Sequence, residues 1–445
     1  MVAAGIRLAN FSGPPLWSDE RATVVESQGI GWPATPVDDS SDFPVTQGLV
    51  DTAREAAGHD QPVYIAIMNV WTRAFGVSEG ALRLPSVVAG ALSIPLLFLA
   101  ARKLVGVTAA WIAALLFAIS PLHTALSQEA RTYAITVALA VASLLAAVTA
   151  GTSKRPLPAL VYGLLAGTMS VFHLLAGVVI VPQVLWLALK GLRARRAALV
   201  AAGIALPWLA AMPLGVWESA EAAHRESGLA LRQPPAELVD WARPASAFNL
   251  AAGVAHVATK VVGIDPDAVR VRTRHVLLAT AALLGVAVFG MRGLDGADKV
   301  LLGGGVLFPV MTSLLLALWY GHVVPLQPRY LLWIVPSMAL LIGRGAQQLG
   351  RQAGGAAVAI AAGLSIVSLL ARPGPIPDPI RLRHETVVAL MQCYAAGDVV
   401  AVPTVDEGML LVAFGGRPVR LAIGRPPASS PDRRWILSGS EMCAS

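Results

Sequence analysis

The sequence contains little charge. Only 14% of its 445 residues are Asp, Glu, Lys or Arg, while 56% are hydrophobic and the mean hydropathy is +0.64. Because soluble domains carry about 25% charged residues, this composition excludes a water-soluble fold and predicts a polytopic membrane protein. The net charge of +7 does not indicate a nucleic-acid partner, since the Lys and Arg residues lie in short clusters between apolar runs.

Cysteine is also scarce. Cys393 and Cys443 both lie in the C-terminal tail without CxxC spacing, so they cannot build a metal site or a redox motif. We expect a disulfide between them if the tail faces an oxidising compartment. A long apolar run is missing from the N-terminal 80 residues, so no cleavable signal peptide is predicted. The topology derived next places these residues on the extracytoplasmic side, and they contain no run that could carry them across a membrane. We therefore expect the natural chain to begin upstream of Met1, or this one to be shortened there.

Charge-free apolar stretches predict an all-α fold with about ten transmembrane helices, because about 20 helical residues cross about 30 Å of hydrocarbon. The stretches lie at 81–101, 104–122, 132–151, 157–172, 174–189, 197–217, 275–291, 300–320, 330–343 and 353–371. Segment 156–189 has 34 residues without a formal charge and fits two short spans. With two spans there, all the dense basic loops fall on one side, which the positive-inside rule makes cytoplasmic.

This topology predicts three regions. Residues 1–80 form an extracytoplasmic loop that carries candidate catalytic acids and interfacial helices, one of them Pro62 to Phe75. Residues 81–371 form the transmembrane domain, which includes an outer loop at 218–274. Residues 372–445 form a small extracytoplasmic α/β tail, with helices at 384–396 and 407–415 and strands at 398–402, 418–423 and 433–438.

Four stretches carry the residues that point to chemistry. They are LWSDE at 16–20, HDQPVYIAIMNVW with FGVSEGALRLPS within 59–86, SPLHTALSQEARTYAI at 120–135, and QPRYLLWIVPSMALL at 327–341. In this order, the stretches resemble the GT-C superfamily of glycosyltransferases that use lipid-linked sugars. The branch they resemble contains the protein O-mannosyltransferases and the lipid A aminoarabinose transferases.

The resemblance implies a mannosyltransferase-like enzyme of the cytoplasmic membrane with an outward-facing active site. Its donor would be a polyprenyl-phosphate sugar, which reaches the outer face within the lipid bilayer, and its acceptor a hydroxyl on a cell-envelope glycan, a glycolipid or a protein. Transfer needs a base for the acceptor and cationic groups for the departing phosphate.

The resemblance also implies roles for individual residues. Asp19 is the general base and Glu20 its neighbour, while Glu129 orients the acceptor or holds a divalent cation; no other cofactor is implied. A further set is implied in phosphate or donor binding, namely Arg131, Arg329, Tyr330, Arg83 and His59. His59 stands where family members usually carry a Lys-Pro-Pro or His-Pro-Pro sequence.

Each candidate has a structural alternative. Asp19 and Glu20 are also typical of a helix N-terminus, and Glu129 with Arg131 of an interfacial ion pair. Arg329 alone is compatible with an ordinary membrane anchor. Three histidines are interpreted as structural: His173 as a satisfied polar residue at a turn, and His123 and His322 as solvated loop residues.

Two other functions compete with the transferase. A transporter or lipid flippase would also be polytopic, but it typically carries acids within its spans and repeated halves, and neither is apparent in this sequence. A non-catalytic membrane subunit whose tail binds a partner is the third interpretation.

Overall fold

The computed structural model describes most of the chain. It covers residues 2–9, 11–12, 16, 18–30, 48–57, 61–219, 243–265, 273–371, 384–393, 399–402, 405–415, 420–423 and 434–436. Of the predicted site residues, His59 and Cys443 lie outside this part of the chain. Cys393 ends a described helix, but its side chain is not described.

Helices dominate the described residues. They are α1 (Val2–Leu8), α2 (Ser18–Ser27), α3 (Leu49–Ala56), α4 (Pro62–Phe75), α5 (Glu79–Leu104), α6 (Val107–Ala118), α7 (Pro121–Ser127), α8 (Tyr133–Thr152), α9 (Leu157–Phe172), α10 (Ile180–Leu189), α11 (Ala194–Ala211), α12 (Ala247–Val261), α13 (Thr273–Gly290), α14 (Gly296–Tyr320), α15 (Ile334–Gln348), α16 (Gly350–Leu370), α17 (His384–Cys393) and α18 (Val405–Gly415). Short 3₁₀ helices lie at Leu174–Val179, Met212–Leu214, Val324–Leu326 and Pro328–Leu331. Most residues of every predicted span are therefore helical.

The chain is a multi-pass membrane protein. Among the described residues, five helices are long and apolar enough to cross a bilayer, namely α5, α8, α11, α14 and α16. The pair α6 and α7 adds a sixth span if its 57° bend lies within one crossing. Shorter apolar helices cover 157–172, 174–189 and 274–290. The expected helical, polytopic membrane fold is confirmed, and five or six of the ten predicted spans meet this length and hydropathy in the described part of the chain.

The tail contains the predicted mixture of helices and strands. Strands β1 (Val399–Val402), β2 (Arg420–Ile423) and β3 (Arg434–Ile436) form a parallel sheet in the order β2-β1-β3. Helix α18 joins β1 to β2, as a parallel pair requires a crossover connection. The predicted boundaries differ from these by a few residues.

Contacts divide the chain into two compact units. Unit 1 comprises residues 1–9, 86–212 and 223–374, and unit 2 comprises 10–85, 213–222 and 375–445. Within unit 2, α2 packs against α18 of the tail as well as against α4. The three predicted regions were drawn along the chain, whereas unit 2 joins the N-terminal segment to the tail.

Helix α4 has the predicted length, but its buried face is partly polar. Asn69 is buried and donates to the carbonyl oxygen of Ser27 at 2.7 Å. Ile67 and Val70 are exposed. Tyr64 and Met68 are fully buried, whereas Phe75 is exposed like Ile67 and Val70, so these last three side chains are the ones available for a membrane surface.

The basic loops of unit 1 meet at one end of its helices. Lys103 donates to Thr149, Arg196 donates to the carbonyl oxygens of Ala150 and Ser153, and Gln348 donates to the carbonyl oxygen of Arg292. We call this the basic end. Helix 157–172 begins near this end, four residues after Ser153, and segment 174–189 ends there beside Lys190, which supports counting two crossings between 156 and 189.

Lys190 lies between two acids at the basic end. Its Nζ is 2.6 Å from Asp295 Oδ2 and 3.3 Å from Asp298 Oδ1, and Asp298 also accepts from Trp186 Nε1 at 2.8 Å. Asp295 caps α14, where its Oδ1 accepts from the backbone N–H of Asp298. The hydrogen bond with Asp295 raises the pKa of Lys190, and the same bond lowers the pKa of Asp295.

Helices α9 and α11 approach each other at glycines. A Cβ on Gly163 would lie 2.4 Å from the carbonyl oxygen of Val200 and 2.9 Å from the Cα of Gly203. One turn later, a Cβ on Gly167 would lie 2.5 Å from the carbonyl oxygen of Ile204. Small residues let transmembrane backbones pack this closely, so the rotation and depth of α9 are fixed by contact of the main chains.

Candidate functional site

The acidic pair lies in the first turn of α2 in unit 2. Asp19 and Glu20 are placed where the helix dipole favours negative charge. Their environments differ, because the Asp19 side chain is partly exposed and that of Glu20 is fully buried. Of the two, Asp19 is the one that solvent reaches.

Glu20 is held by Arg83. Arg83 Nε lies 2.7 Å from Glu20 Oε1 and Nη2 lies 2.6 Å from Oε2, a bidentate pair between two buried side chains. Arg83 Nη1 donates to the carbonyl oxygen of Phe11 at 2.8 Å. A bidentate guanidinium fixes the orientation of a carboxylate. Arg83 is therefore engaged with Glu20, and its predicted contact with phosphate would require it to leave this pair.

The loop before α8 carries Glu129 and Arg131 in unit 1. Gln128 Nε2 donates to the carbonyl oxygens of Arg7 and Ala9, each at 3.0 Å, and Ser86 Oγ donates to the carbonyl oxygen of Arg131 at 3.0 Å. The loop is thus held at the side chain of Gln128 and at the carbonyl oxygen of Arg131. The side chains of Glu129 and Arg131 are both partly exposed.

His123 is buried, so its interpretation as a solvated loop residue is wrong. Its Nδ1 lies 2.7 Å from Arg7 Nη2, and its ring stacks on Phe117 at a centroid distance of 4.1 Å. Ser120 caps α7 by accepting from the backbone N–H of His123. This histidine links α1 to α7 and is part of the support for the Arg131 loop.

Arg329 lies in the segment Gln327–Tyr330, which we call the QPRY segment. Its Nε donates to Gln327 Oε1 at 2.6 Å, and its guanidinium carbon is 5.4 Å from the centroid of the Tyr330 ring. Both Arg329 and Tyr330 are partly exposed. His322, five residues before Gln327, is buried and accepts from the backbone N–H of Val324 at 3.3 Å, so the prediction of a solvated histidine is wrong here too.

The two arginine segments meet at His173. The His173 ring lies 5.9 Å from Tyr133, two residues after Arg131, and 6.2 Å from Tyr330, next to Arg329. The positive charges of Arg131 and Arg329 both act on this ring. Helix α8 has 20 residues, about 30 Å at 1.5 Å per residue, and Tyr133 begins it while Thr149 lies near its other end. The arginines thus gather at the end of unit 1 opposite the basic end, and we call it the arginine end.

An apolar groove runs between α12, α13 and α14 in unit 1. Its volume is about 530 Å³, and its lining includes Leu250, Val254, Leu277, Leu284 and Leu314. Helix α12 also packs against the 3₁₀ helix Pro328–Leu331 of the QPRY segment. One helix therefore contacts both the groove and the segment that carries Arg329.

A metal-binding set is not apparent in the described residues. Among them, no three His, Cys, Asp or Glu side chains lie close enough together to hold a metal ion. Glu129 is the single predicted metal ligand of this end, and one carboxylate does not make a site.

Sequence reasoning missed His173 and Trp333 as neighbours of the arginines. Trp333 lies three residues after Tyr330, and its ring is 4.9 Å from that of His173 in an edge-on arrangement. The signal that could have found His173 is its position as the one histidine in the apolar segment 156–189, which has no Asp, Glu, Lys or Arg.

Comparison with known proteins gives one family match. The model of the dolichyl-phosphate-mannose-protein mannosyltransferase family matches residues 59–217, a little over a third of the chain. No curated protein sequence matches the chain.

Several solved structures share the fold. ArnT from Cupriavidus metallidurans, solved with undecaprenyl phosphate, is 12% identical with a TM-score of 0.51, and the match covers 91% of this chain and 84% of ArnT. The oligosaccharyltransferase of Archaeoglobus fulgidus, solved with Zn and sulfate, is 14% identical with a TM-score of 0.52, covering 94% of this chain and 61% of that one. AglB of the same organism, solved with an inhibitory peptide and a dolichol-phosphate, is 13% identical with a TM-score of 0.50, covering 95% and 63%. The chain shares the fold of these proteins, and this is the fold that the resemblance of its motifs to the GT-C superfamily predicts.

Proposed function

We propose that this chain is a membrane glycosyltransferase that moves one sugar from a polyprenyl-phosphate donor to a hydroxyl acceptor on the extracytoplasmic face of the cytoplasmic membrane. The observation that carries the proposal is the arginine end. There, Arg131 and Arg329 lie around one histidine, and α12 connects the QPRY segment to an apolar groove. A lipid phosphate needs this combination, because its head is an anion and its tail is a hydrocarbon.

The arginines suit the headgroup of the donor. A guanidinium binds phosphate through two parallel hydrogen bonds and keeps its charge at any physiological pH. Both side chains are partly exposed at the arginine end and so are accessible to a ligand. The apolar groove suits the isoprenoid tail, since its lining is almost entirely aliphatic.

Asp19 is the proposed base. Its carboxylate accepts the proton of the acceptor hydroxyl, whose oxygen attacks the anomeric carbon of the donor sugar. The bond between that carbon and the phosphate oxygen breaks, its electron pair stays on the phosphate, and the sugar is transferred with inversion. Since the departing polyprenyl phosphate is a stable anion, electrostatic support from Arg131 and Arg329 suffices and no strong acid is required.

The environments of the acidic pair support Asp19 over Glu20 as the base. A base must reach the proton that it accepts, and Glu20 is buried with both oxygens bound to Arg83, while Asp19 is partly exposed. We assign the Glu20 and Arg83 pair to positioning α2, and with it Asp19. Glu129 is proposed to orient the acceptor.

The lipids in two related folds support the donor class. ArnT was solved with undecaprenyl phosphate and AglB with a dolichol-phosphate. Both are phosphates of long polyprenols. For this chain, we propose a polyprenyl monophosphate carrying a mannose-like sugar, and an acceptor hydroxyl on a cell-envelope glycan, a glycolipid or a protein.

The proposal is tested by donor turnover. Purified protein in nanodiscs is given a panel of polyprenyl-phosphate hexoses and pentoses with a cell-envelope extract as acceptor, and release of polyprenyl phosphate is measured. We expect release with at least one donor, and a loss of about a hundredfold or more in Asp19→Asn, as removal of a general base predicts.

Asp51 supplies the matched control. It is an exposed acid in the first turn of α3, also in unit 2. If the acidic pair only complements a helix dipole, Asp19→Asn and Asp51→Asn will leave turnover equally unchanged, and the assignment of Asp19 is then refuted. Movement of the intact donor without release of polyprenyl phosphate would instead indicate a flippase.

A further inference from the structure

His173 interrupts an apolar segment. Helix α9 ends at Phe172, His173 is extended with φ −157° and ψ 110°, and a 3₁₀ helix follows from Leu174. Its backbone is satisfied, since its N–H donates to the carbonyl oxygen of Met169 and its carbonyl oxygen accepts from the N–H of Ala176. A 3₁₀ stretch within a helical segment often marks a functional position. The break turns the imidazole toward the aromatic residues of the arginine end.

The imidazole is enclosed by aromatic rings. The centroid of Trp333 lies 4.9 Å away and edge-on, that of Tyr133 5.9 Å away and that of Tyr330 6.2 Å away. The His173 side chain is only 5% exposed. Two of these rings belong to the segments that carry Arg131 and Arg329, so the imidazole lies at the junction of the two proposed phosphate-binding segments.

Two polar atoms of this cluster are buried without a partner. His173 Nδ1 and Trp333 Nε1 have no hydrogen-bond partner in the described part of the chain. Leaving such an atom unsatisfied costs about 1–3 kcal/mol, and an orphan of this kind calls for an explanation, such as a ligand that completes it. The earlier interpretation of His173 as a satisfied residue at a turn is therefore wrong.

The surrounding charge selects an anion as that ligand. The guanidinium groups of Arg131 and Arg329 act on the His173 ring. An anion attracted by both would come within reach of the imidazole and would accept a hydrogen bond from its N–H. Trp333 offers a second N–H beside it, and indole nitrogen is a donor only. A phosphate oxygen accepts such bonds, whereas another cation or a carbonyl carbon would not.

We propose that His173 is a third headgroup-binding residue, whose Nδ1–H donates a hydrogen bond to a phosphate oxygen of the polyprenyl-phosphate donor and of the lipid product. This inference rests on the proposed function and adds a residue to it. Arg131, Arg329 and His173 would surround one phosphate. The two arginines attract it through their charge, and His173 orients it through a hydrogen bond from a neutral ring.

Binding of undecaprenyl phosphate tests this assignment, with undecaprenol as the probe that lacks the phosphate. Affinities are measured in nanodiscs for wild type, His173→Phe and His173→Asn. Loss of one hydrogen bond to an ionised group predicts that His173→Phe binds undecaprenyl phosphate about ten- to a hundredfold more weakly. His173→Asn should recover most of the affinity, because its amide places a donor near the position of Nδ1. Affinity for undecaprenol should stay unchanged in both.

Tyr162 provides the matched control. Its hydroxyl is also buried without a hydrogen-bond partner among the described residues, and it lies on α9 eleven residues before His173, about 16 Å away along a helix. Tyr162→Phe should bind undecaprenyl phosphate as wild type does. If Tyr162→Phe and His173→Phe weaken binding alike, the effect comes from α9 in general and the inference is overturned.

Other outcomes separate this inference from the proposed function. Wild type that prefers undecaprenyl phosphate, together with His173→Phe that retains the preference, overturns the role of His173 alone. Wild type with no preference over undecaprenol overturns the proposed function, and the inference falls with it. If His173→Phe does not fold, NMR of wild type labelled with ¹⁵N at histidine decides. The ring signal of His173 is the one that is missing in His173→Asn. That signal must shift when undecaprenyl phosphate is added and must stay in place when undecaprenol is added.

Discussion

The two ends of unit 1 both carry positive charge, but they use it differently. At the basic end, Lys190 lies between the carboxylates of Asp295 and Asp298. The side chains of Lys103 and Arg196 donate hydrogen bonds to residues of neighbouring helix ends and loops. At the arginine end, the contacts of Arg329 include the neutral oxygen of Gln327 and the ring of Tyr330, with an imidazole nearby. At the first end a lysine pairs with two carboxylates, whereas at the second two guanidinium groups lie around an imidazole that is enclosed by aromatic rings.

The difference separates the cations that a topology rule explains from those that it does not explain. The positive-inside rule accounts for the basic end without a ligand. It does not account for arginines at the other end, where they lie beside buried polar atoms and near a helix that lines an apolar groove. A count of Lys and Arg residues alone would treat both ends alike.

The largest expected effect comes from removing the guanidinium groups. Arg131→Ala with Arg329→Ala should lower the affinity for undecaprenyl phosphate by about a hundredfold or more, because each hydrogen bond to a charged group contributes about 1.5–3 kcal/mol. Lys190→Ala, at the basic end, is the matched control and should bind as wild type does in the same nanodisc titration. Equal losses in the two proteins would remove the distinction between the ends.

The next effect concerns a charge pair that is buried rather than exposed. Glu20→Gln leaves the Arg83 guanidinium without its carboxylate, and breaking a buried pair in this way typically costs about 3–5 kcal/mol of stability. We expect a clear drop in the thermal unfolding midpoint. Glu55→Gln, on the exposed face of α3, should change stability by at most about 0.5 kcal/mol. An unchanged midpoint in Glu20→Gln would show that the pair does not hold α2 in place.

Glu129→Gln should have a moderate effect on turnover. An acceptor-orienting carboxylate contributes less than the base, so we expect a loss of roughly three- to tenfold, against a hundredfold for Asp19→Asn. Measuring turnover of wild type and Glu129→Gln with EDTA and with added Mg²⁺ or Mn²⁺ then separates the two possible roles of Glu129. A loss that depends on metal would assign Glu129 to a cation, and a loss that does not would assign it to the acceptor.

The smallest effect is expected at the exposed pair of the basic end. The lowered pKa of Asp295 means that its bond to Lys190 stabilises the fold above the ordinary aspartate pKa of 3.8, and that this contribution is lost as the pH falls through the lowered value. Asp295→Asn should therefore lower the unfolding midpoint slightly at pH 7, and the difference from wild type should shrink in the acidic range. Both midpoints are measured by differential scanning fluorimetry across pH. A difference that grows on acidification would reverse the sign of this coupling.

Much of the helical fold could be predicted from the sequence. Charge-free runs located the helices, since hydrocarbon excludes unpaired charge, and helix 157–172 and helix Pro62–Phe75 have the predicted bounds. The tail's alternation of helix and strand also followed from turn residues and β-branched runs. These features depend on residues that are close together in the sequence, so they can be predicted from one sequence.

What could not be predicted depends on contacts between distant residues. Arg83 pairs with Glu20, 63 positions away, and nothing in the local sequence around Arg83 distinguishes such a pair from a phosphate ligand. Arg7 reaches His123 across 116 positions, which turns an expected loop histidine into a buried one. The partners of His173 come from α8 and from the segment after α14. Burial and partner choice are properties of the packed bundle, not of the segment.

The close contact of α9 with α11 has a consequence for mapping this protein by mutation. Because backbone touches backbone at Gly163 and Gly167, a methyl group there has no flexible side chain to push aside and must move the whole helix. His173 directly follows that helix, so the displacement is transmitted to the imidazole about two to three turns away. A scan for essential positions would then score these glycines beside the proposed headgroup ligands, although both glycines are buried against α11. Such inactive variants would report on the alignment of the imidazole rather than on chemistry.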